Sequence, residues 1–234
     1  MNKKLIPTLK AFSLVFILWC GIIKTAIRNH EKLSDMVTIS DGNIKTGKIK
    51  SFSLLPFFTC HKRCLNTCGE KCYAKKICLL RPSVLTSYAR NTALAKLATK
   101  TVFNVIDKSV KNCCFFRFHV SGDIINEKYF SYMVKTALKN PHCTFLAFTK
   151  QYEIVNTWID QNGSLPKNLK ILFSGWTNLS PINPYNLPET QVYKTETEKN
   201  PSWKDCGGNC LNCAMHDTGC WTAKNGETIC FKMH

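Results

Sequence analysis

The sequence is poor in acidic residues, with 15 Asp and Glu against 32 Lys and Arg and a formal charge of +17. It also lacks internal repeats, low-complexity tracts, and the motifs of the nucleophile elbow, the phosphate-cradling glycine loop and the zinc-protease helix, so repeat architectures and these hydrolase chemistries have little support. Because 44% of the 234 residues are apolar, the chain can bury one ordinary core, which excludes general disorder. The basic excess makes a polyanion, either nucleic acid or an acidic membrane surface, the first partner to consider.

Cysteine, in contrast, is abundant: the chain has 14, most of them in two dense groups. The first group lies in "CHKRCLNTCGEKCYAKKIC" (residues 60–78) and the second in "CGGNCLNCAMHDTGCW" (residues 206–221). A disulfide framework is typical of small secreted domains without a core, and this chain is long enough to have one. We therefore favour metal binding over disulfides for both groups.

In the first group, Cys60, Cys64, Cys68 and Cys72 are each separated by three residues. On a straight helix the outer two would be roughly 18 Å apart, too far for one metal centre, so the loop must curl, with Gly69 as one flexible point. Thiolate-only sites hold zinc or an iron–sulfur cluster. The absence of paired C-x2-C units in this loop favours a cluster over a zinc knuckle.

The second group contains Cys206, Cys210, Cys213 and Cys220. Four sulfurs are enough to close a coordination sphere, so we predict a structural metal site that fixes an irregular tail onto the domain. Zinc and a second iron–sulfur cluster both remain open at this point.

The first 35 residues combine a basic start with an apolar run from Ala11 to Ile23. Three interpretations stay open: an uncleaved membrane anchor over residues 5–23, a signal peptide, or an upstream extension of a chain that naturally begins at Met36. We favour the third and a cytoplasmic location, because export to an oxidising compartment suits disulfides better than iron-binding thiols.

After Met36, short apolar segments alternate with helical ones. The patterns predict strands at 49–55, 113–120, 143–149 and 169–175, and helices at 83–110 (one long or two in tandem), 126–140 and 151–163. This alternation predicts an α/β domain over residues 36–190 with a parallel sheet, open or barrel-like, and residues 191–234 form a cysteine-rich tail packed on the same domain.

In parallel sheets, functional groups gather beyond the carboxyl ends of the strands. The first cysteine loop and three short polar segments, "SGD", "TK" and "SGWTN", follow strands here, so we expect them to meet at one edge of the sheet. The candidate cofactor-binding residues on these segments are Ser121, Gly122, Asp123, Lys150, Trp176 and Asn178.

Several of these residues also have an ordinary structural interpretation. Asp123 precedes a predicted helix and could simply cap it. Lys150 could be a solvated lysine, and Trp176 could pack on its own domain. His119 lies in an apolar strand and is expected to be a core histidine, and Cys113 and Cys114 are expected in the core.

Four stretches, "CYAKK", "RPSVLTSYARN", "HVSGD" and the closing "GCW", resemble the phage "gene product 88" family over about residues 38–234. That family looks similar to the three-cysteine radical S-adenosylmethionine (radical-SAM) enzymes. The resemblance implies a partial parallel (βα) barrel, a [4Fe–4S] cluster held by three of the four loop cysteines, and S-adenosylmethionine bound at the open iron beside Gly122 and Asp123. Those enzymes use C-x3-C-x2-C spacing, which this chain has only at Cys206, Cys210 and Cys213.

The leading hypothesis is a phage or mobile-element iron–sulfur protein that cleaves S-adenosylmethionine reductively and acts on a nucleic acid or nucleotide. The main alternative is a non-catalytic module in which zinc fills both cysteine groups and the basic surface binds nucleic acid. A membrane-tethered protein using residues 5–23 is the third hypothesis.

Overall fold

The fold is built on one open sheet of seven parallel strands. In the computed structural model, which describes residues 5–233, the strands follow the order β1-β2-β3-β4-β5-β7-β6. They are β1 (Lys50–Phe52), β2 (Phe115–Phe118), β3 (Thr144–Thr149), β4 (Leu169–Ser174), β5 (Glu189–Tyr193), β6 (Lys204–Asp205) and β7 (Thr228–Lys232). Every pairing between them is parallel. The predicted α/β class and parallel sheet are therefore confirmed, and the sheet is not closed.

Seven α-helices accompany the sheet in the described part of the chain. They are α1 (Ile6–Arg28), α2 (Tyr73–Leu80), α3 (Pro82–Leu97), α4 (Thr99–Ser109), α5 (Glu127–Lys139), α6 (Tyr152–Asn162) and α7 (Cys210–Met215). The region predicted as one long helix or two forms two, because the backbone leaves helical geometry at Ala98, with φ −139° and ψ 48°. The predicted helices at 126–140 and 151–163 are confirmed as α5 and α6.

The two faces of the sheet have different coverings. Alternate residues of a strand point to opposite faces, so Phe116 and Phe118 of β2 pack in the main core with side chains from α3, α4, α5 and α6. On the other face, Leu146 of β3 and Leu172 of β4 pack against Trp221 and Ala214 of the tail. Helices thus cover one face and the cysteine-rich tail covers the other.

Strands β5, β6 and β7 were not predicted. The chain from Ser180 is rich in Pro, Asn and Thr, which hides the period of a strand, and β6 has only two residues. These strands pair with partners that are distant in the sequence, such as Thr190 opposite Ile229, and no local sequence pattern specifies such pairing. The tail is therefore part of the same sheet.

The apolar leader forms α1, which packs along α3. Phe12 and Ile23 are fully buried there, whereas Leu14 and Ile17 on the opposite side are exposed. Within residues 5–233, α1 is the one helix long and apolar enough to cross a membrane by length and composition. Whether residues 1–35 serve as anchor, signal or extension stays a prediction.

Candidate metal and ligand site at the carboxyl edge of the sheet

The loops after β1 and β2 are tied to each other at the carboxyl edge of the sheet. The Leu54 amide donates to the Ser121 carbonyl, and the Ser121 hydroxyl donates to the Leu54 carbonyl, both at 2.8 Å. The Asp123 amide donates to the Thr59 hydroxyl at 3.0 Å. Ser121, Gly122 and Asp123 therefore lie directly against the segment that leads into the first cysteine group.

Asp123 also links the ends of β2 and β3. Its buried carboxylate accepts hydrogen bonds from the Thr149 hydroxyl at 2.6 Å, the Ile124 amide at 2.7 Å and the Lys150 amide at 2.9 Å. Lys150 in turn donates from Nζ to the hydroxyl of Ser174, the last residue of β4, at 2.7 Å. The four segments that follow β1 to β4 thus meet at one edge.

The first cysteine group lies on a curled loop. A short 3-10 helix spans Lys62–Asn66, and the Gly69 amide donates back to the Cys64 carbonyl at 2.7 Å. A Cβ at Gly69 would stand 2.8 Å from the same carbonyl oxygen, so only glycine allows this close return. The curl that the cysteine spacing required is present.

The curl brings three thiols into a series. The Cys64 thiol neighbours the side chains of Cys60 and Cys68, and its pKa is raised chiefly by the Cys60 neighbour and by burial. The Cys64 neighbour and burial also raise the pKa of Cys68, and the positive charge of Lys150 opposes that rise. The negative charge of Asp123 also raises the pKa of Cys64. The thiol series therefore lies within electrostatic range of the polar edge.

The fourth loop cysteine has a different partner. The Cys72 sulfur accepts a hydrogen bond from the Lys75 amide at 3.4 Å and so caps the amino end of α2. The Cys60 sulfur accepts one from the Phe57 amide, also at 3.4 Å. Backbone N–H groups that point at sulfur stabilise thiolates and tune the potential of a bound cluster.

All fourteen cysteines are free thiols in this structure. Within residues 5–233, no group of three or more His, Cys, Asp or Glu side chains has, as it stands, an arrangement that could hold a metal ion. The loop thiols neighbour one another along the series rather than around a common point, so a metal centre would need them to rotate toward one point. The donor set itself, soft sulfur with amide donors around it, fits an iron–sulfur cluster or zinc.

The Asp123 carboxyl is expected to titrate near pH 6. Burial raises its pKa to about 6, and the hydrogen bonds from Thr149, Lys150 and Ile124 offset part of that rise. Because the folded pKa lies above the unfolded value of 3.8, the folded state binds this proton more tightly. Protonated Asp123 therefore makes its full contribution to the free energy of unfolding below about pH 4, and this contribution is lost as the pH rises through about 6.

Urea unfolding between pH 4 and pH 7 measures this effect. The unfolding free energy of the wild type minus that of Asp123→Asn should fall with rising pH, by up to about 3 kcal/mol. Thr149→Val removes a hydrogen-bond donor to the charged Asp123 carboxylate and so raises the pKa of Asp123. In the Thr149→Val background, the pH-dependent fall in stability that Asp123 causes should therefore occur at a higher pH. A difference that stays flat across this range would contradict the assignment.

Gly122 lets the loops after β1 and β2 approach each other. Its φ is +81°, and an added Cβ would stand 2.6 Å from the Leu54 Cβ and 2.7 Å from the Thr59 hydroxyl. Gly122→Ala is expected to lower the unfolding free energy by about 2–4 kcal/mol, from left-handed backbone strain plus overpacking. Gly163 is the control for backbone strain without overpacking, because its φ is +88° with open space around it, and Gly163→Ala should cost only that strain, about 1–2 kcal/mol. Equal losses in the two variants, measured by urea denaturation, would show that the close approach does not matter.

The remaining predicted ligand residues lie around the same edge. Lys150 is 7% exposed, so its interpretation as a solvated lysine is wrong: Nζ binds Ser174 and lies 5.8 Å from the centre of the Trp176 ring. Trp176 is half-buried in a tight turn, where its amide and that of Leu179 each donate to the other's carbonyl at 2.9 Å. Asn178, at the tip of that turn, is exposed to solvent.

Three other expectations have clear outcomes. Asp123 does not cap α5, because the Asn126 side chain accepts from the Tyr129 amide there. His119 is buried as expected, with Nε2 bonded to the Tyr129 hydroxyl at 2.9 Å, and burial lowers its pKa to about 3. The expectation that Cys114 lies in the core is wrong, since it precedes β2 and is exposed.

The sequence reading missed the residues that support this edge. The Arg63 guanidinium lies over the Tyr152 ring, 4.7 Å from its centre, and forms an ion pair with Glu153 at the start of α6. Arg63 lies between Cys60 and Cys64 in the sequence, and this position within the cysteine loop is the feature that could have indicated its role. This pair connects the cysteine loop to the helix after β3.

The second cysteine group lies away from this edge, on the sheet face that the tail covers. Cys206, Cys210, Cys213 and Cys220 line one small cavity there. The contact of Arg117 of β2 with the Cys210 sulfur was not predicted, although a single charge within the apolar strand "FFRF" is unusual.

These features define an α/β protein with an open all-parallel sheet, a cysteine loop at its carboxyl edge and a cysteine-rich tail across one face. The chain belongs to the phage protein family described as Gene product 88, which it matches over residues 25–232. Neither the curated proteins nor the solved structures contain a match to the chain.

Proposed function

We propose that this protein is an iron–sulfur protein of the radical-SAM-like kind, with its cluster at the carboxyl edge of the sheet. The observation that carries the proposal is the thiol series Cys60–Cys64–Cys68, which lies on a curled loop after β1 beside the polar ends of β2, β3 and β4. Soft thiolates in a loop with amide donors are the ligands that iron–sulfur clusters take.

The contacts favour one choice among the four loop cysteines. Cys60 and Cys68 are the two thiol neighbours of Cys64, whereas Cys72 does not neighbour Cys64 and its sulfur caps α2. We therefore assign the three neighbouring thiols as cluster ligands. Three protein ligands leave one iron of a [4Fe–4S] cluster open, which is where S-adenosylmethionine would bind.

The strand order supports a fold of the radical-SAM type. Strands β1 to β5 are neighbours in the order in which they occur along the chain, and α3 to α6 all pack on one face. Continuous winding in one direction is the arrangement of a barrel, whereas doubly wound sheets reverse their order and carry helices on both faces. A partial barrel that stays open between β1 and β6 is our proposed description.

The polar edge offers groups for the rest of the cofactor. Lys150 is held in place by Ser174, and its ammonium can pair with a carboxylate. Trp176 offers an aromatic face and Asn178 an exposed amide, which suit an adenine ring. The Asp123 carboxylate already accepts hydrogen bonds from Thr149, Ile124 and Lys150, so we assign it a positioning role.

A cluster held by Cys60, Cys64 and Cys68 would supply the one-electron chemistry that breaks the carbon–sulfur bond of S-adenosylmethionine reductively and releases methionine. A strong external reductant must replace that electron. The chain's own part is to hold and orient the cofactor and to keep water away. The net charge of +17 favours a nucleic acid or nucleotide as the substrate, and we place the protein in the cytoplasm.

The experiment is a cleavage assay on protein purified without oxygen. The full chain is incubated with S-adenosylmethionine and dithionite, and the methionine released is measured against a reaction without reductant. We expect release that depends on the reductant and is lost in Cys64→Ser. If the iron-loaded protein releases no methionine, the enzymatic part of the proposal fails. A colourless protein that contains zinc in both cysteine groups would instead support the nucleic-acid-binding module.

A further inference from the structure

The tail cysteines surround a cavity on the sheet face opposite the helices. Four of the lining residues are cysteines, and the others include Leu146 of β3, Trp221 and Ile229 of β7. The cysteines are Cys206, Cys210, Cys213 and Cys220. Because all four line the same small cavity, their side chains lie near one another.

Helix α7 places two of these cysteines on the same side. Cys210 and Cys213 lie three residues apart on α7, so they share one side of the helix. The Asn209 side chain caps α7 by accepting from the Asn212 amide at 3.0 Å. Two glycines pack against the Cys213 sulfur: a Cβ at Gly207 would stand 2.8 Å from it and one at Gly219 would stand 3.4 Å from it.

Hydrogen-bond donors point at two of the sulfurs. The Arg117 guanidinium donates to the Cys210 sulfur at 3.2 Å, and the Gly208 amide donates to the Cys206 sulfur at 3.4 Å. The Arg117 Nε is buried and has no hydrogen-bond partner among the described residues, and the guanidinium lies 4.8 Å from the centre of the Phe148 ring. No ion pair in residues 5–233 includes Arg117. A neutral thiol is a weak partner for a cation, so the arrangement calls for negative charge on the sulfurs.

We propose that Cys206, Cys210, Cys213 and Cys220 bind one zinc ion. The cavity has a volume of about 20 Å³, which is room for one water-sized centre and too little for a four-iron cluster. Soft thiolates select zinc among the common single ions, and four of them at about 2.3 Å close its tetrahedral shell. Binding requires the sulfurs to rotate inward around the cavity, and Arg117 then balances part of the negative charge of the tetrathiolate centre.

A closed shell of four protein ligands makes this site structural. The zinc would fix the tail over the sheet, because the Trp221 ring packs 5.1 Å from the Phe115 ring of β2 and its Nε1 donates to the Cys210 carbonyl at 2.9 Å. The tail is also tied to the loop before β1, where the Cys210 amide donates to the Lys45 carbonyl at 3.0 Å. The inference does not rest on the cluster proposed at the other edge.

The test is zinc analysis of the full chain after purification without oxygen, in the wild type and in three variants. We expect about one zinc per wild-type chain and less than about a tenth of that in Cys213→Ser. Cys114→Ser is the matched control, because Cys114 is an exposed cysteine outside both groups, and it should keep its zinc. Arg117→Met keeps all four sulfurs and should hold zinc about tenfold more weakly in a chelator competition.

Cobalt(II) titration of the metal-stripped wild type gives a second measurement if a variant fails to fold. One cobalt per chain with the absorption of a tetrahedral thiolate site, displaced by one equivalent of zinc, is the expected result. The proposal is overturned if the wild type holds no zinc, if Cys213→Ser keeps it, or if Cys213→Ser loses iron and sulfide instead.

Discussion

Serine in place of Cys64 is expected to abolish iron and sulfide loading. Cys64 is the middle member of the thiol series, next to both Cys60 and Cys68, so its loss separates the two outer ligands as well as removing one. We expect the iron and sulfide of Cys64→Ser, purified without oxygen, to fall to less than about a tenth of the wild-type content. The visible absorption near about 400 nm should disappear with them.

Two further variants are controls that are expected to keep their iron. Cys72→Ser should keep most of its iron, because the Cys72 sulfur caps α2 and serine is a good capping residue. Cys114→Ser should load like the wild type, since Cys114 is exposed and outside the loop. If Cys72→Ser lost its iron while Cys64→Ser kept it, the ligand assignment would be wrong even though a cluster was present.

Phe118→Ala is expected to cause the largest loss of stability among the variants considered. Phe118 is fully buried in β2, and its ring lies 5.1 Å from that of Phe116, 5.7 Å from that of Phe145 and 6.2 Å from that of Phe103. Removing it leaves a cavity between the sheet and α4, so the unfolding free energy should fall by about 3–5 kcal/mol.

Urea denaturation followed by circular dichroism measures this loss as a lower midpoint with an unchanged slope. Leu138→Ala is the control, because Leu138 is 64% exposed on α5 and should cost less than about 1 kcal/mol. A Phe118→Ala loss as small as that of the control would mean that the aromatic layer under β2 does not hold the sheet together.

The strands and helices that position the candidate site could be predicted because their signals are local. The apolar run of β3 and the helical spacing of apolar residues in α5 and α6 each lie within one short stretch of the sequence. The meeting of the loops followed from one general rule, that parallel strands place their carboxyl ends at one edge. The cysteine spacing likewise required a curl, which Gly69 provides by its close contact with the Cys64 carbonyl.

What could not be predicted depends on contacts between distant parts of the chain. The tail looked like an appendage, yet β7 pairs between β5 and β6 and completes the sheet. Its cysteines face Arg117, which is 93 positions away from Cys210 in the sequence. Similarly, no pattern around Lys150 indicated that Ser174 would bury it. Such partners appear only when the sheet is assembled.

The roles within "SGD" also changed once the contacts were visible. The sequence offered Asp123 as a cofactor ligand or as a helix cap. It does not cap α5, and it joins β2 to β3 through Thr149 and Lys150. Gly122 serves the close approach to Leu54. In the proposed site both residues therefore set the shape of the edge, and Lys150 is left to bind ligand.

The most direct test of an iron–sulfur centre at this edge is iron, sulfide and zinc analysis of the full chain purified without oxygen. We predict a brown protein with about four iron and four sulfide per chain, and with about one zinc in the tail site. A colourless protein that contains zinc but neither iron nor sulfide would contradict the iron–sulfur assignment.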